Sequence, residues 1–440
     1  MSQKFTFPEM KEFEIENGLK AILIPDNRQE GVVAALQMPF GRFADTKQYE
    51  GCTELCIGWM QKGTEELPFE KFSDVFEERG ATVFAEVGEE HTMLGVKMLS
   101  RFKDELFPHF WSMITKPAFD KRELSRIQQE MITALRAEAV DPGTIANRHF
   151  FKELAGDEHP AGRFHTVASF KKMHADLVSD FYREYVLPQG SILIIAGDIS
   201  YEWFDEQCRK MVEAWKSNNQ RKPCEANPAQ NRASAIRFIE KNDLTQVSLL
   251  LGQAAPGELD PKRNRIALAN YVFGAGNFSS RLMTRIRSTA GKTYGVSSHI
   301  TAERLFGAIT ISTSTQNRFL KEVLGDLISE FNSFCKNGIT QEELDKAKRF
   351  AIGNMAFQLE GLTNVVEKIL WLRYYQRDNF YIESFDTIIN GISLSDVNDA
   401  IRETFDPEKL IIVAVGKKTE ILSQLREFGS PVAYHFKEKL

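Results

Sequence analysis

The stretch GCTELCIGWMQKGT, residues 51–64, carries the pattern around which the first half of the sequence is organised. Its apolar residues recur at intervals of three and four positions, which predicts a helix over Gly51–Gly63 with one buried face. The buried stripe consists of Cys52, Leu55, Cys56, Trp59 and Met60. Glu54, Ile57 and Gly58 lie off this stripe, so we expect them on the face that looks into a cavity. We interpret the two cysteines as core residues, because no second pair of metal ligands follows them.

Strand and helix patterns surround this helix in an order that the second half of the sequence repeats. The first half has strands at Leu19–Pro25 and Val32–Pro39, the helix, a hairpin of Ala81–Glu86 and Thr92–Leu99, helices at 102–116 and 121–139, a strand at Ser191–Ala196 and a helix at Tyr201–Trp215. The second half has a strand at Gln246–Gly252, a helix at Arg263–Phe273, a hairpin of Lys292–His299 and Gly307–Ser314, helices at Leu320–Asn337 and Gln341–Glu360, and a strand at Leu410–Val415. Matching elements recur at an offset of about 215 residues, which predicts a tandem duplication of an α+β unit.

A polar stretch, KSNNQRKPCEANPAQNR at 216–232, separates the two halves. It has two prolines and no periodic apolar pattern, as is typical of a linker. We therefore predict an N-terminal αβ domain at 1–216, a linker at 217–232 and a C-terminal αβ domain at 233–440. A linker of this length lets the two halves face each other as a clam shell.

Composition excludes several classes of function. The formal net charge of −6 and the pI of about 5.9 give no basic face for nucleic acid. No stretch approaches the roughly 18 apolar residues of a membrane-spanning helix. The polar N-terminus lacks the apolar core of a signal peptide, so we expect a cytoplasmic location, with the periplasm as the alternative. Five cysteines at loose spacing do not predict a disulfide framework.

The sequence resembles the pitrilysin (insulinase-like, M16) family of zinc peptidases, whose members include mitochondrial processing peptidase. The resembling segments are Glu16–Leu19, Gly51–Thr64, Glu123–Glu130, Gly197–Asp198, Ser279–Leu282, Arg287 with Tyr294, and Ile339–Leu344. The resemblance covers nearly the whole chain. It implies a duplicated metallopeptidase αβ domain in a clam-shell arrangement.

Active members of the family carry an inverted zinc motif, His-x-x-Glu-His, on a helix that resembles 51–64, and a further Glu on a later helix. Aligned on that segment, the three motif positions fall on Glu54, Ile57 and Gly58, and the later Glu falls on Glu130. Two carboxylates without an imidazole are a poor zinc site, and no pair among the eight histidines has ligand spacing. We therefore expect no metal or other cofactor in this chain.

The second half keeps the pair that the family uses to bind substrate. Arg287 and Tyr294 match an Arg followed seven positions later by a Tyr, and in the family these residues hydrogen-bond the peptide near the scissile bond. An Arg and a Tyr hydroxyl are suited to developing negative charge. The alternative is a helix-end ion pair and an aromatic residue of a strand. The resemblance also implies that the strand with Phe84 and Ala85, where the family often has Asn-Ala, pairs with extended substrate.

These features predict a non-catalytic, substrate-binding subunit of a two-subunit zinc metallopeptidase. A homologous partner would hold the zinc, and this chain would supply Arg287 and Tyr294. The first alternative is an inert structural or peptide-binding homologue, like the core subunits of a respiratory complex. The second is an autonomous enzyme with an unrelated site, which rests only on unpaired histidines and carboxylates.

Overall fold

The computed structural model describes residues 5–217, 219–222, 234–287 and 293–437. The strands are β1 (Lys11–Glu14), β2 (Lys20–Pro25), β3 (Val32–Met38), β4 (Thr82–Val87), β5 (Thr92–Met98), β6 (Ile192–Gly197), β7 (Ala235–Glu240), β8 (Gln246–Ala254), β9 (Thr293–Ala302), β10 (Gly307–Gln316), β11 (Ile411–Gly416) and β12 (Val432–His435). These bounds agree closely with the predicted strands, although β1, β7 and β12 have no counterpart in the sequence analysis.

The helices of the first half are α1 (Cys52–Met60), α2 (Phe69–Glu77), α3 (Lys103–Thr115), α4 (Lys121–Glu138), α5 (Pro142–Ala155), α6 (Val167–Lys172), α7 (Ala175–Tyr185) and α8 (Tyr201–Ala214). Those of the second half are α9 (Arg263–Asn270), α10 (Arg281–Arg287), α11 (Leu320–Asn337), α12 (Gln341–Phe357), α13 (Leu362–Tyr374), α14 (Phe380–Glu383), α15 (Phe385–Gly391), α16 (Leu394–Thr404) and α17 (Lys418–Leu425). A π-helical segment, Tyr271–Ala275, continues α9.

Two six-stranded sheets within the described residues share one topology. Their strand orders are β1-β2-β6-β3-β5-β4 and β12-β7-β11-β8-β10-β9. In each order the second and third strands are parallel, β2 with β6 and β7 with β11, and the fourth strand, β3 or β8, runs antiparallel to the third. The sheets differ at one edge, where β1 runs antiparallel to β2 but β12 runs parallel to β7. The predicted tandem duplication of an α+β unit is thereby confirmed.

The outer face of the first sheet is covered by a helix from the second half. β3 and β6 are buried along their whole length, so their sequences are apolar runs instead of alternating patterns. One face packs on helices of the first half, and the other packs on α13. Val366, Ile369 and Leu370 of α13 are at most 1% exposed there.

The second sheet receives a helix from the first half in return. Ile145, Phe150 and Leu154 of α5 pack on its outer face, against β7, β8 and β11. Each half therefore completes the core of the other. The sequence analysis did not predict α5 or α13, although α5 begins with a capping Asp141 followed by Pro142, a typical helix start.

All strands of the first sheet precede residue 198, and all strands of the second follow residue 234. The predicted linker at 217–232 lies mostly outside the described residues, so the domain boundaries stay predictions. No helix in the described part of the chain is long and apolar enough to cross a membrane.

Candidate functional site

Helix α1 is preceded by Gly51, a position that only glycine fits. Gly51 has φ of +96°, and a Cβ atom there would lie 2.7 Å from the Phe170 ring. The Asp45 carboxylate caps the helix by accepting the N–H groups of Gly51 at 2.7 Å and Thr53 at 2.9 Å. Burial, and then the nearby charge of Glu54, raises the pKa of Asp45 to about 8. The start of α1 is thus built around a buried carboxyl group.

The predicted buried stripe of α1 is confirmed. All five of its residues, from Cys52 to Met60, are at most 2% exposed. The Trp59 indole also donates a hydrogen bond of 2.8 Å to the carbonyl of Asp120, just before α4. The helix is therefore fixed firmly against α4 and the first sheet.

Glu54, the first motif position, lies in a cluster of partly buried charged and titratable side chains. Its Oε1 atom is 4.0 Å from Nε of Arg42 and 3.8 Å from Nδ1 of His165. Its Oε2 atom is buried and has no hydrogen-bond partner among the described residues. Burial raises the pKa of Glu54, and burial lowers the pKa of His165 to about 4. At neutral pH, His165 is therefore uncharged.

Ile57, the second motif position, is 2% exposed and belongs to the core of the first half. Our expectation that it looks into a cavity is wrong. Helix α1 packs against α4, α7 and the first sheet, and this packing buries Ile57 as well as the apolar stripe. Gly58, the third position, faces α4. A Cβ atom at Gly58 would lie 3.4 Å from Ile127 and 3.5 Å from Met131, which is ordinary contact.

Glu130 lies on α4 with its side chain 56% exposed, and its Oε1 accepts a 2.9 Å bond from Arg126 on the same helix. The four positions therefore offer one carboxylate in an ion cluster, one buried aliphatic side chain, one glycine and one surface ion pair. This set does not fit zinc, because zinc sites in proteins include imidazole or thiolate ligands and these four positions provide neither. Within the described ranges, no group of three His, Cys, Asp or Glu could hold a metal ion.

The strand with Phe84 and Ala85 is β4, which lies at the edge of the first sheet. The Phe84 ring lies directly over Gly95 of β5, where an added Cβ atom would come within 2.1 Å of it. The Phe84 side chain therefore lies on the outer face of the sheet, beside the apolar residues of α13. Ala85 is exposed, and the outer edge of β4 has no partner strand among the described residues.

Arg287 is the last residue of α10, and Tyr294 is near the start of β9. The side chains of both residues lie outside the described part of the chain, as do residues 288–292. Two neighbouring cations are described. Arg281 forms a bidentate pair with Glu343 at 2.6 and 2.7 Å, and Arg285 pairs with Asp326 at 3.3 Å. Both arginines are therefore ion-paired with neighbouring helices.

A cavity of about 410 Å³ lies where the two halves meet, and the sequence analysis missed it. Its lining includes Arg42, Phe43 and His165 from the first half, and His299, Thr301 and Phe306 from the second. No local pattern signals such a cavity, because its two walls come from opposite halves of the sequence. It adjoins the Glu54 cluster through Arg42 and His165 and offers aromatic walls with hydrogen-bonding groups.

Comparisons with known proteins agree with this geometry. A family model described as "Insulinase (Peptidase family M16)" matches residues 20–149, and one described as "Peptidase M16 inactive domain" matches residues 172–350. The "Uncharacterized zinc protease YmxG" of Bacillus subtilis (strain 168) is 22% identical over 405 residues, which is 90% of this chain and 96% of that protein. The "Non-peptidase homolog YmxG" of Helicobacter pylori is 22% identical over 386 residues, 86% of this chain and 87% of that protein.

Two solved structures share the fold. The peptidase M16 inactive domain from Pseudomonas fluorescens superposes with a TM-score of 0.85 at 22% identity, over 93% of this chain and 98% of that one. A protease from Helicobacter pylori gives a TM-score of 0.85 at 15% identity, over 93% and 100% of the two chains. The two family models together match more than two thirds of this sequence. The chain therefore belongs to the M16 (insulinase) peptidase family, as an inactive-type homologue.

Proposed function

We propose that this chain is the non-catalytic, substrate-binding subunit of a two-subunit zinc metallopeptidase. The observation that carries the proposal is the state of α1. Its packing face, its cap at Asp45 and its bond from Trp59 are intact, whereas the three motif positions hold no zinc ligand set. A chain that keeps this helix but not its zinc ligands is suited to assemble with a homologous chain that still has those ligands.

The partner in this proposal is a homologous M16 chain with an intact His-x-x-Glu-His motif and its own zinc. This chain would contribute Arg287, the last residue of α10, and Tyr294, near the start of β9. An Arg and a Tyr hydroxyl at the scissile carbonyl would stabilise the negative charge that develops there. The ion pairs of Arg281 and Arg285 hold the rest of α10 to α11 and α12.

The edge strand β4 is the second element that the proposal assigns to substrate. Its outer N–H and C=O groups can pair with an extended peptide, and the exposed Ala85 leaves room for one. Phe84 would contribute indirectly, because its ring packs on the sheet at Gly95 and stiffens the edge. Backbone pairing of this kind binds peptides of varied sequence.

A second candidate is a catalytically inert structural or peptide-binding homologue without a zinc-bearing partner. It is favoured by the relative from Helicobacter pylori, which is named a non-peptidase homologue. The two candidates differ in one respect. Only the first requires a second chain that carries zinc.

Purification of the chain from its native cells under mild conditions tests the proposal. We expect a second M16 chain with an intact motif to co-purify, together with about one zinc per pair and peptidase activity that the separated chains lack. A chain that purifies alone, and that activates no motif-bearing M16 protein when mixed with it, would favour the inert homologue. Stoichiometric zinc in this chain alone, with chelator-sensitive cleavage, would contradict both candidates.

A further inference from the structure

An exposed aromatic surface lies on the second half. We define it by Tyr271, Phe350 and Phe357, together with Gly353. Phe357 is 69% exposed and Phe350 is 46% exposed. Single exposed aromatic residues are common, but several on one face mark a site of interaction.

The surface consists of a stacked pair of aromatic rings and an open position beside that pair. The Phe350 ring stacks on Tyr271 with the ring centres 4.3 Å apart and the planes 24° apart. Phe357 lies two turns further along α12 on the same face. Between them, a side chain added at Gly353 would meet no atom within 4 Å, so the helix surface is open there. We call this open position between the two phenylalanines the gap, and a peptide side chain placed there meets no steric obstacle.

The internal duplication shows that this surface is specific to the second half. Helices α4 and α12 are equivalent, since each follows a hairpin and one helix, and Glu130 and Phe350 are the tenth residues of the two. In the first half this face holds the ion pairs of Arg126 with Glu123 and Glu130. The same scaffold therefore carries charges beside the motif helix in one half and aromatic rings in the other.

The edge strand of the described part of the second sheet lies near the aromatic surface. The π-helical segment that begins at Tyr271 lies against β9, where Ser298 donates a 2.5 Å hydrogen bond to Asn270. A Cβ atom at Gly274 would lie 2.4 Å from the Ser298 hydroxyl, so the approach is close. In the described part of the second sheet, β9 is the edge strand. An extended peptide that pairs with such an edge presents alternate side chains to one face.

We infer that the aromatic surface binds an apolar side chain of an extended peptide. The inference rests on the proposed function, since the peptide would be the substrate of the subunit pair, and it adds a preference for aromatic or large aliphatic residues. The peptide backbone lies along β9, and its apolar side chain enters the gap at Gly353 between Phe350 and Phe357. A free strand edge beside an apolar gap suits an extended chain better than the surface of a folded protein.

Fluorescence anisotropy of the purified chain, without a partner, tests the inference. The probes are two labelled peptides of about twelve residues, one with a central Phe in a background of Ser, Thr and Asn and one with Ser in its place. We expect Phe350→Ser and Phe357→Ser each to weaken binding of the Phe peptide by about tenfold. Phe380→Ser is the matched control, because Phe380 is 67% exposed on α14. Phe350→Leu should keep most of the affinity, which separates loss of apolar contact from misfolding.

Three results would overturn the inference. One is equal affinity of all variants for the Phe peptide, and another is no preference of the natural chain for Phe over Ser or no binding at all. The third is self-association, measured by light scattering, that Phe350→Ser abolishes while peptide affinity stays unchanged. The assay needs neither zinc nor a partner, so peptide binding can succeed where activation of a partner fails, and the reverse.

Discussion

The Glu90 carboxylate accepts the backbone N–H of Arg304 at 2.8 Å, across the boundary between the two halves. It also accepts the N–H of Leu305 at 2.6 Å, and it is only 5% exposed. Glu90 lies in the turn between β4 and β5, and Arg304 lies in the turn between β9 and β10. Equivalent turns of the two repeats thus meet, and a single carboxylate of the first satisfies two N–H groups of the second.

Replacing Glu90 with Gln should therefore weaken the contact between the halves. The amide keeps the shape of the side chain but turns one acceptor oxygen into a donor, which leaves a backbone N–H without a partner. We expect a loss of about 1–3 kcal/mol in the free energy of unfolding, measured with urea. Glu86→Gln on the exposed face of β4 is the control. Equal stability of the two variants would show that the turn-to-turn contact contributes little.

The buried carboxyl groups predict how stability depends on pH. Burial, with the nearby charge of Glu90 as the second cause, raises the pKa of Glu303 to about 7, and burial raises that of Asp45 to about 8. In the unfolded chain both titrate near their ordinary values of about 4. Between these limits the folded chain binds more protons, so both groups make stability fall as pH rises from about 5 to about 8.

Two buried histidines act in the opposite direction. Burial lowers the pKa of His149 and of His165 to about 4, so below the ordinary value of about 6.5 the unfolded chain binds more protons and stability falls on acidification. The two effects oppose one another below about pH 6.5, so we expect stability to change little there and to fall at higher pH, where only the carboxyl groups act. Unfolding temperatures from pH 5 to 9 should show Glu303→Gln losing less stability than the natural chain between about pH 5 and 7. Parallel curves for the two proteins would contradict the assignment to Glu303.

Two glycines of the first half should respond in opposite ways to substitution. Gly58→Ala in α1 should raise stability by about 0.5–1 kcal/mol, because alanine favours the helix and its Cβ makes ordinary contacts. Gly95→Ala in β5 should lower stability, because its Cβ would come within 2.1 Å of the Phe84 ring. Thermal unfolding of both variants is the measurement. Destabilisation by Gly58→Ala would mean that α1 and α4 pack too closely there for any side chain.

Much of the fold could be predicted from local patterns. The strands β3, β6, β8 and β11 are apolar runs with clear ends, and α11 has its predicted bounds of Leu320–Asn337. The duplication could be predicted because both halves repeat the same order of elements. The roles of α5 and α13 could not, because an apolar helix face does not show whether it will cover its own sheet or that of the other half.

The surroundings of the candidate site could not be predicted from the sequence. The expectation that Glu54, Ile57 and Gly58 provide no zinc ligand set rests on residue types alone and stays a prediction. The burial of Ile57 does not, because it depends on how many elements surround α1. The Glu54 cluster joins residues as distant in sequence as Arg42 and His165, and only the folded chain brings these side chains together.

Helix α13 belongs to the second half but covers the first sheet. A core substitution in α13 should therefore destabilise the first sheet. Ile369 of α13 is fully buried against that sheet, so Ile369→Ala should cost about 2–5 kcal/mol. Amide hydrogen exchange should then accelerate in β3 and β6, which lie more than 150 residues away in sequence. Glu367→Ala, on the exposed face of α13, is the control. Faster exchange confined to the second half would show that the two cores are independent.

The proposed division of labour makes its sharpest prediction at Arg287. In a complex with a zinc-bearing partner, Arg287→Ala should cost about 3 kcal/mol of transition-state stabilisation, which is roughly a 150-fold loss in kcat/KM. The loss should fall mainly on kcat, because a donor aimed at developing charge contributes little to the bound substrate. Arg285→Ala is the matched control, since Arg285 lies on the same helix, α10, and is ion-paired with Asp326 of α11. Steady-state kinetics of the reconstituted pair separates the two. If both variants cleave peptide at the rate of the natural pair, Arg287 has no role at the scissile bond, and the inert homologue becomes the better description.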